Sequence, residues 1–200
     1  MGPMRLADSG RLGPSERHAL LKLARQSIKH GLSAGRPISV DPRQYSARLA
    51  EEGAAFVTLH RKGILRGCIG HLEAIQPLVL DVVENAFAAA FRDPRFAPLT
   101  EPELADLAIE ISVLSPSEPL TFASEEELLR MIEPGRDGLI LEDGAARGTF
   151  LPTVWESLPQ PRDFMRHLKR KAGLPPDHWS DQIRVSRYRT ESFSEQDLGH

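Results

Sequence analysis

The stretch GILRGCIGHL, residues 63–72, decides how this sequence folds and contains the only cysteine of the chain, Cys68. It follows GAAFVTLHRK, residues 53–62, in which apolar and polar residues alternate as they do along a half-buried strand. Lys62 and Gly63 stand between the two stretches and suit a two-residue hairpin turn. The sequence therefore predicts a β-hairpin with Cys68 on its second strand.

Side chains along a strand alternate between its two faces. Arg66 and Cys68 are therefore predicted to share one face, while Leu65 and Ile69 point to the other and enter the core. The guanidinium would then lie about 6–7 Å along the strand from the thiol. A cation at that range favours the thiolate, which is the nucleophilic form of cysteine. This pattern makes Cys68 and Arg66 candidate catalytic residues.

Two glycines flank the cysteine, Gly67 and Gly70. Because they carry no side chain, another backbone or a ligand can approach the strand closely at these positions. Their N–H groups are candidates for binding an anionic group. The alternative is that Cys68 is a small buried core residue, since free cysteines are among the most often buried residues. The pattern alone leaves both interpretations open.

The base that a reactive thiol needs is not evident next to Cys68. His71 lies on the opposite face if the strand continues, so it is a candidate ligand-binding residue and not a partner for the thiol. A two-residue turn would direct His60 towards Leu65 and away from Cys68. Glu110, on the strand predicted at 107–115, is a candidate general base, although it could equally face solvent.

A further candidate site is DPRF, residues 93–96. Arg95 could bind an anion and Phe96 could stack on a nucleotide base. The alternative is a proline-stiffened helix exit whose phenylalanine packs inward. The sequence contains no phosphate-binding loop, dinucleotide-binding fingerprint or zinc-hydrolase motif.

Outside the hairpin, helices and strands are mixed. Helical patterns cover 14–33, 77–91 and 162–173, with shorter helices after Thr100 and Ser124 and at 153–158, and strands are predicted at 107–115, 138–142, 147–151 and QIRVSRYR. Because the order shows no regular βαβ alternation, the predicted class is α+β, with a mainly antiparallel sheet and flanking helices.

Composition excludes several classes of protein. The 25 basic and 28 acidic residues give a net charge near −3, so no overall field attracts nucleic acid. A single cysteine excludes an internal disulfide, and no Cys or His pairs stand close enough for a structural zinc site, so no metal site is predicted. No stretch reaches the roughly 20 apolar residues of a membrane span, and the first residues lack a signal peptide's apolar region. We therefore expect a cytoplasmic protein without membrane contact.

The ordered set LRGCIG, FRDPRFAPLTEPEL, IEISVLS, FLPTVW and KAGL resembles the AMMECR domain family, and the resemblance covers roughly residues 15–194. It implies a two-lobed single-chain protein in which 14–195 form one domain with two interwoven lobes, between a flexible segment, 1–13, and a tail, 196–200. It also implies that LRGCIG is the functional surface, and that bacterial and archaeal members act with a Memo-like protein and a radical SAM protein. No settled reaction comes with the family, and its cofactor is unknown.

Two functions follow as alternatives. In the first, the protein is an enzyme or ligand-processing protein in which Cys68 acts with Arg66, and Gly67, Gly70 and Arg95 bind a small molecule or nucleotide. In the second, it is a non-catalytic adaptor that uses the same surface to bind a Memo-like or radical SAM partner. Binding to nucleic acid is the least favoured reading, because the net charge is negative.

Overall fold

The computed structural model describes residues 11–198 of the 200-residue chain. Its α-helices are α1 (Pro14–Ala34), α2 (Ala47–Ala50), α3 (Leu78–Phe91), α4 (Glu125–Met131) and α5 (Pro161–Lys171). Its strands are β1 (Glu52–Gly53), β2 (Ala55–Arg61), β3 (Ile64–Gly70), β4 (Gln76–Pro77), β5 (Leu107–Leu114), β6 (Glu118–Pro119), β7 (Gly138–Asp143), β8 (Ala146–Phe150), β9 (Arg184–Tyr188) and β10 (Thr190–Ser194). Short 3-10 helices span Pro42–Gln44, Glu101–Asp106, Pro152–Glu156 and Glu195–Leu198. The fold is α+β with antiparallel sheets, as the sequence predicts.

The chain forms two compact units. Of the described residues, one unit contains 11–114 and 191–198, and the other is Ser115–Thr190. The predicted flexible segment over 1–13 lies, as far as residue 10, outside the described residues. Of the predicted tail over 196–200, residues 199–200 also lie outside them, whereas 196–198 belong to a 3-10 helix.

The first unit is built on a four-stranded antiparallel sheet with the order β10-β5-β2-β3, and β3 is an edge strand. On β2, the side chains of Ala55, Val57 and Leu59 are fully buried in a core that α1 and α3 complete. The alternating residues Thr58 and His60 are only partly buried and point the other way. We call the face of the sheet that carries Thr58 and His60 the outer face.

The second unit contains the sheet β6-β9-β7-β8, packed on α4 and α5. Trp155 is buried and stacks on Phe164 with ring centroids 3.8 Å apart, and its indole N–H donates to the Asp137 carbonyl. The turn after β7 uses Gly144 at φ 59° and connects the strands predicted at 138–142 and 147–151.

Besides the two-residue strands β1, β4 and β6, the sequence analysis does not predict the longer strand β10. The sequence analysis ends the chain on QIRVSRYR, whereas the structure adds β10, which joins the sheet of the first unit beside β5. Phe193 on β10 is buried in the core of that unit, and Glu191 forms an ion pair with Arg17 of α1. The alternation in TESFS is the signal for this strand, but a single apolar residue makes it weak.

Candidate functional site

The β2–β3 hairpin has the predicted turn, with Lys62 at φ 53° and Gly63 at φ 78°. Two residues with positive φ are the signature of the turn type that matches strand twist. His60 pairs with Leu65, and Leu59 pairs with Gly67. Arg66 is therefore an extra residue on β3, and it forms a β-bulge.

This bulge corrects the predicted faces of the strand. Leu65 was expected in the core, but its pairing with His60 places it on the outer face, where it is 38% exposed. Ile69, beyond the bulge, packs against the core as predicted. A period of two assigns faces correctly only while the register is continuous, and one inserted residue reverses every assignment before it.

Cys68 lies on the outer face directly opposite Thr58. The Cys68 Sγ is 3.3 Å from Thr58 Oγ1, and the residue is partly buried. Its sulfur is therefore neither sealed in the aliphatic core nor fully open to solvent.

The backbone of Cys68 is held by the residues after α3. Its N–H donates to Asp93 Oδ2 at 2.9 Å, and its carbonyl accepts from Arg95 Nη2 at 3.4 Å. Arg95 also donates to both oxygens of Asp93, at 3.0 and 2.7 Å. These hydrogen bonds, with Arg95 contributing most, hold the pKa of the buried Asp93 carboxyl well below its usual range. An edge strand that would otherwise expose its polar backbone is thus capped at Cys68.

The guanidinium of Arg66 is bound to the fold. Its Nε and Nη2 donate to the two oxygens of Glu103 at 2.8 and 3.1 Å, and Nη2 also donates to the Ala97 carbonyl. It lies 5.8 Å from the ring centroid of Phe96. The hydrogen bond from Arg66 lowers the pKa of the Glu103 carboxyl to about 2. Arg66 therefore connects the bulge to the 3-10 helix Glu101–Asp106.

Both glycines of the motif have internal neighbours. A Cβ on Gly67 would lie 2.1 Å from the Ala89 carbonyl oxygen, so the absence of a side chain lets α3 approach β3. A Cβ on Gly70 would lie 2.4 Å from the ring of Phe56 on β2. The close approach that the sequence predicts at these positions is made by the protein itself.

Two ionisable side chains share the outer face with Cys68. Glu110 on β5 lies directly opposite Thr58, so Cys68, Thr58 and Glu110 form a row across three strands. With strands about 4.8 Å apart, the first and last backbones of the row are roughly 10 Å apart. His60 also faces outward, and the bulge makes it a diagonal neighbour of Cys68, against the expectation that it would be turned away.

His71 follows β3 and lies on the opposite face from Cys68, as predicted. Its Nδ1 is 2.6 Å from Oδ1 of Asp81, a fully buried carboxylate on α3. Cys68 and His71 thus belong to two separate groups of contacting side chains.

The described part of the chain contains no group of three or more His, Cys, Asp or Glu side chains placed to hold a metal ion. Within residues 11–198, no helix combines the length and apolar character needed to cross a membrane.

The chain as a whole is similar to known proteins. The AMMECR1 family model matches residues 21–193. This chain belongs to the AMMECR1 family. A protein of Methanothermobacter thermautotrophicus is 39% identical over 190 residues, covering 92% of this chain and 96% of its own. A protein of Thermococcus onnurineus is 42% identical over 188 residues, covering 88% and 89%.

The AMMECR1 fold is also known from a crystal structure. An uncharacterised protein of Pyrococcus horikoshii matches with a TM-score of 0.80 and 37% sequence identity, and the match covers 89% of this chain and 90% of that chain. These similarities show the family and the α+β fold.

Sequence reasoning missed three residues around Cys68. Thr58 is visible only once the register is known, because nothing in VTLHR marks it. Asp93 was noted as part of DPRF, but its bond to the Cys68 backbone joins positions 25 residues apart. Glu103 belongs to the short helix predicted after Thr100, where its Oε2 accepts from the Thr100 N–H, but local pattern does not show that its Oε1 accepts from Arg66.

Proposed function

We propose that this AMMECR1 protein is a cysteine-dependent enzyme or ligand-processing protein whose reactive group is the Cys68 thiol. One observation carries the proposal. Both backbone polar groups of Cys68 are bound by the Asp93–Arg95 pair, whereas its thiol is left on the outer face beside a hydroxyl. A side chain whose backbone is fixed in this way is held ready for reaction with little loss of entropy.

The roles of the surrounding groups follow from their positions. Thr58 Oγ1 can donate to a Cys68 thiolate, and Glu110 or His60 can accept the thiol proton, directly or through a water molecule. The thiolate then attacks a carbonyl carbon of the bound ligand, and the C–S bond forms as the π electron pair of the C=O bond moves to the oxygen. Arg66 contributes by fixing the bulge, since its guanidinium is engaged with Glu103. The cation closest to the Cys68 backbone is Arg95, which is half-exposed and can contact an anionic ligand.

Alkylation of the single cysteine tests this proposal. Native protein is treated with iodoacetamide at neutral pH, and the rate is compared with that of the same chain unfolded in urea, where the identical thiol has lost its surroundings. We expect faster modification in the native state, and slower modification in Glu110→Gln or His60→Gln if that residue is the base. Native protein that reacts more slowly than the unfolded chain would rule out a prepared thiol.

A second candidate, an adaptor that binds a Memo-like or radical SAM partner, is favoured by exposed apolar side chains near the two ends of β3. Ile64 is 73% exposed, Leu65 38% and Ile75 68%, and they are the large apolar side chains that the described residues expose. Because the Cys68 backbone is already capped, such a partner would bind these side chains and would not extend the sheet there.

Co-purification with a Memo-like protein separates the two functions. An adaptor predicts that Ile64→Ser combined with Ile75→Ser abolishes the complex, while Cys68→Ser leaves it intact. Arg66→Ala is unsuitable for this test, since it would remove the nearer of the two arginines that contact Glu103 and disturb the fold. Retention of the complex by the double variant would exclude these apolar side chains as the binding surface.

A further inference from the structure

A second group of polar side chains lies at the end of β3, on the side of the sheet opposite Cys68. Its centre is Asp81, which is fully buried and accepts from the Ala55 N–H at 2.9 Å, Asn85 Nδ2 at 3.0 Å and Gln76 Nε2 at 3.2 Å. The fourth contact is His71 Nδ1, at 2.6 Å. Every neighbour of this carboxylate is thus a donor or can act as one.

These contacts fix the tautomer of His71. An ionised carboxylate only accepts hydrogen bonds, so the proton between His71 and Asp81 belongs to Nδ1. Asn85 Nδ2, which lies 3.3 Å from Nδ1, is already bound to Asp81 and to the Ala55 carbonyl. Neutral His71 therefore carries its lone pair on Nε2.

The Nε2 atom is available to a ligand. The His71 side chain is 43% exposed, and Nε2 has no hydrogen-bond partner among residues 11–198. A buried carboxylate behind an exposed imidazole fixes the orientation of the ring and stabilises the imidazolium that forms when Nε2 takes up a proton.

We propose that His71 Nε2 is a second reactive centre of this protein, a proton acceptor and nucleophile oriented by Asp81. Its ligand is neutral or cationic and presents an O–H or N–H group. The charge follows from the surroundings, where Glu84 binds Gln76 and adds a second carboxylate to that of Asp81. An anionic ligand would be repelled by both. His71 is the group that contacts the ligand, and Asp81 is a positioning residue.

The chain contains a natural comparison in its second unit. His178 also contacts a carboxylate, but it does so through Nε2, which is 2.6 Å from Asp143 Oδ2. Its free nitrogen is Nδ1, the ring nitrogen that lies nearer to the backbone in any histidine. His18 and His167 are exposed and have no hydrogen-bonding partner in the described part of the chain. These residues provide internal standards for the reactivity of His71.

Acylation by diethyl pyrocarbonate tests the proposal, because the reagent is neutral and adds to an imidazole nitrogen that lacks a proton. Nε2 attacks a carbonyl carbon, ethyl carbonate leaves, and the Nδ1 proton is lost as the acyl-imidazole forms. Peptide mapping by mass spectrometry gives a rate for each histidine. We expect His71 to react about tenfold faster than His18 and His167, the gain that one hydrogen bond to a charged group supplies. His178 should be the slower member of the two paired histidines.

The matched variant is Asp81→Asn, which should reduce the rate at His71 to that of His18 and leave His178 unchanged. If this variant does not fold, ¹⁵N NMR of the wild-type protein shows which ring nitrogen of His71 carries the proton. The His71→Gln variant assigns the His71 signals. A proton on Nδ1 and none on Nε2 supports the proposal. A proton on Nε2, or a His71 rate no higher than that of His18, overturns it. Cys68→Ser should leave the His71 rate unchanged, so this test is independent of the Cys68 proposal.

Discussion

Thr58 Oγ1 and Cys68 Sγ face each other across adjacent strands at 3.3 Å. If the hydroxyl stabilises the thiolate, Thr58→Val should slow alkylation of Cys68 by about fivefold, because valine keeps the shape of threonine but cannot donate a hydrogen bond. Thr58→Ser keeps the donor and should react like the wild type. Iodoacetamide labelling at neutral pH measures both rates. A Thr58→Val protein that reacts at the wild-type rate would show that the contact has no chemical role.

Gly67 is the position of the motif that tolerates a side chain least. A Cβ there would overlap the Ala89 carbonyl oxygen, a backbone atom that cannot rotate away. We expect Gly67→Ala to lower the free energy of unfolding by about 3 kcal/mol, the upper range for forcing extra volume into a packed core. Gly63→Ala is the control, because open space surrounds that position and the cost, about 1 kcal/mol, comes only from its positive φ. Urea unfolding of the two variants measures the difference, and equal losses would contradict the packing argument.

The Arg66–Glu103 ion pair predicts a dependence of stability on acid. The Glu103 carboxyl has a pKa of about 2 in the folded protein and 4.5 when unperturbed. A folded pKa below the unfolded one stabilises the protein above the unfolded value, and this stabilisation is lost as the pH falls from 4.5 towards 2. Arg66→Gln removes the largest cause of the lowered pKa, so the difference in unfolding free energy from the wild type should shrink over that window.

The control for this prediction is Arg136→Gln, which removes an exposed ion pair with Glu133. Exposed pairs contribute about 0.5 kcal/mol or less, so its difference from the wild type should be small at every pH. A constant difference between Arg66→Gln and the wild type from pH 5 to pH 2 would mean that Arg66 acts through packing and not through the charge of Glu103.

The bulge at Arg66 and the partners of its guanidinium show how far the sequence can predict this site. The hairpin, its turn, the outward direction of Cys68 and the opposite position of His71 all follow from local pattern. Leu65 was misplaced because a bulge inserts a residue without any change in composition. The partners of Arg66 and Cys68 come from residues 97–103 and 93–95, which local periodicity cannot connect to β3. Long-range hydrogen bonds between polar side chains and an edge strand leave no periodic signal.

Lys169 on α5 offers a test in the second unit. Its side chain is fully buried, with Nζ 2.5 Å from Glu125 Oε1 and 5.6 Å from the centroid of the Trp179 ring. Glu125→Ala should cost about 3 kcal/mol of unfolding free energy, because it leaves a buried ammonium without its carboxylate. Lys169→Met should cost less, since it replaces the charge with an apolar chain of similar length. If urea unfolding shows a larger loss for Lys169→Met than for Glu125→Ala, then losing the ion pair costs more stability than leaving the ammonium buried and unpaired.

Because Asp93 accepts from the Cys68 N–H, we expect it to slow hydrogen exchange of that amide. An edge-strand amide without a partner exchanges its hydrogen readily, but the Cys68 N–H is bound to a buried carboxylate. Asp93→Ala should therefore speed exchange of the Cys68 amide by about tenfold, the loss of one hydrogen bond to a charged group. Asp93→Asn can still accept through its amide oxygen and should have the smaller effect. Hydrogen exchange followed by NMR measures both, with the Val57 amide on the central strand β2 as the reference. If the Cys68 amide is equally protected in Asp93→Ala, then strand pairing alone holds the backbone, and the fixed position of the thiol owes nothing to the Asp93–Arg95 pair.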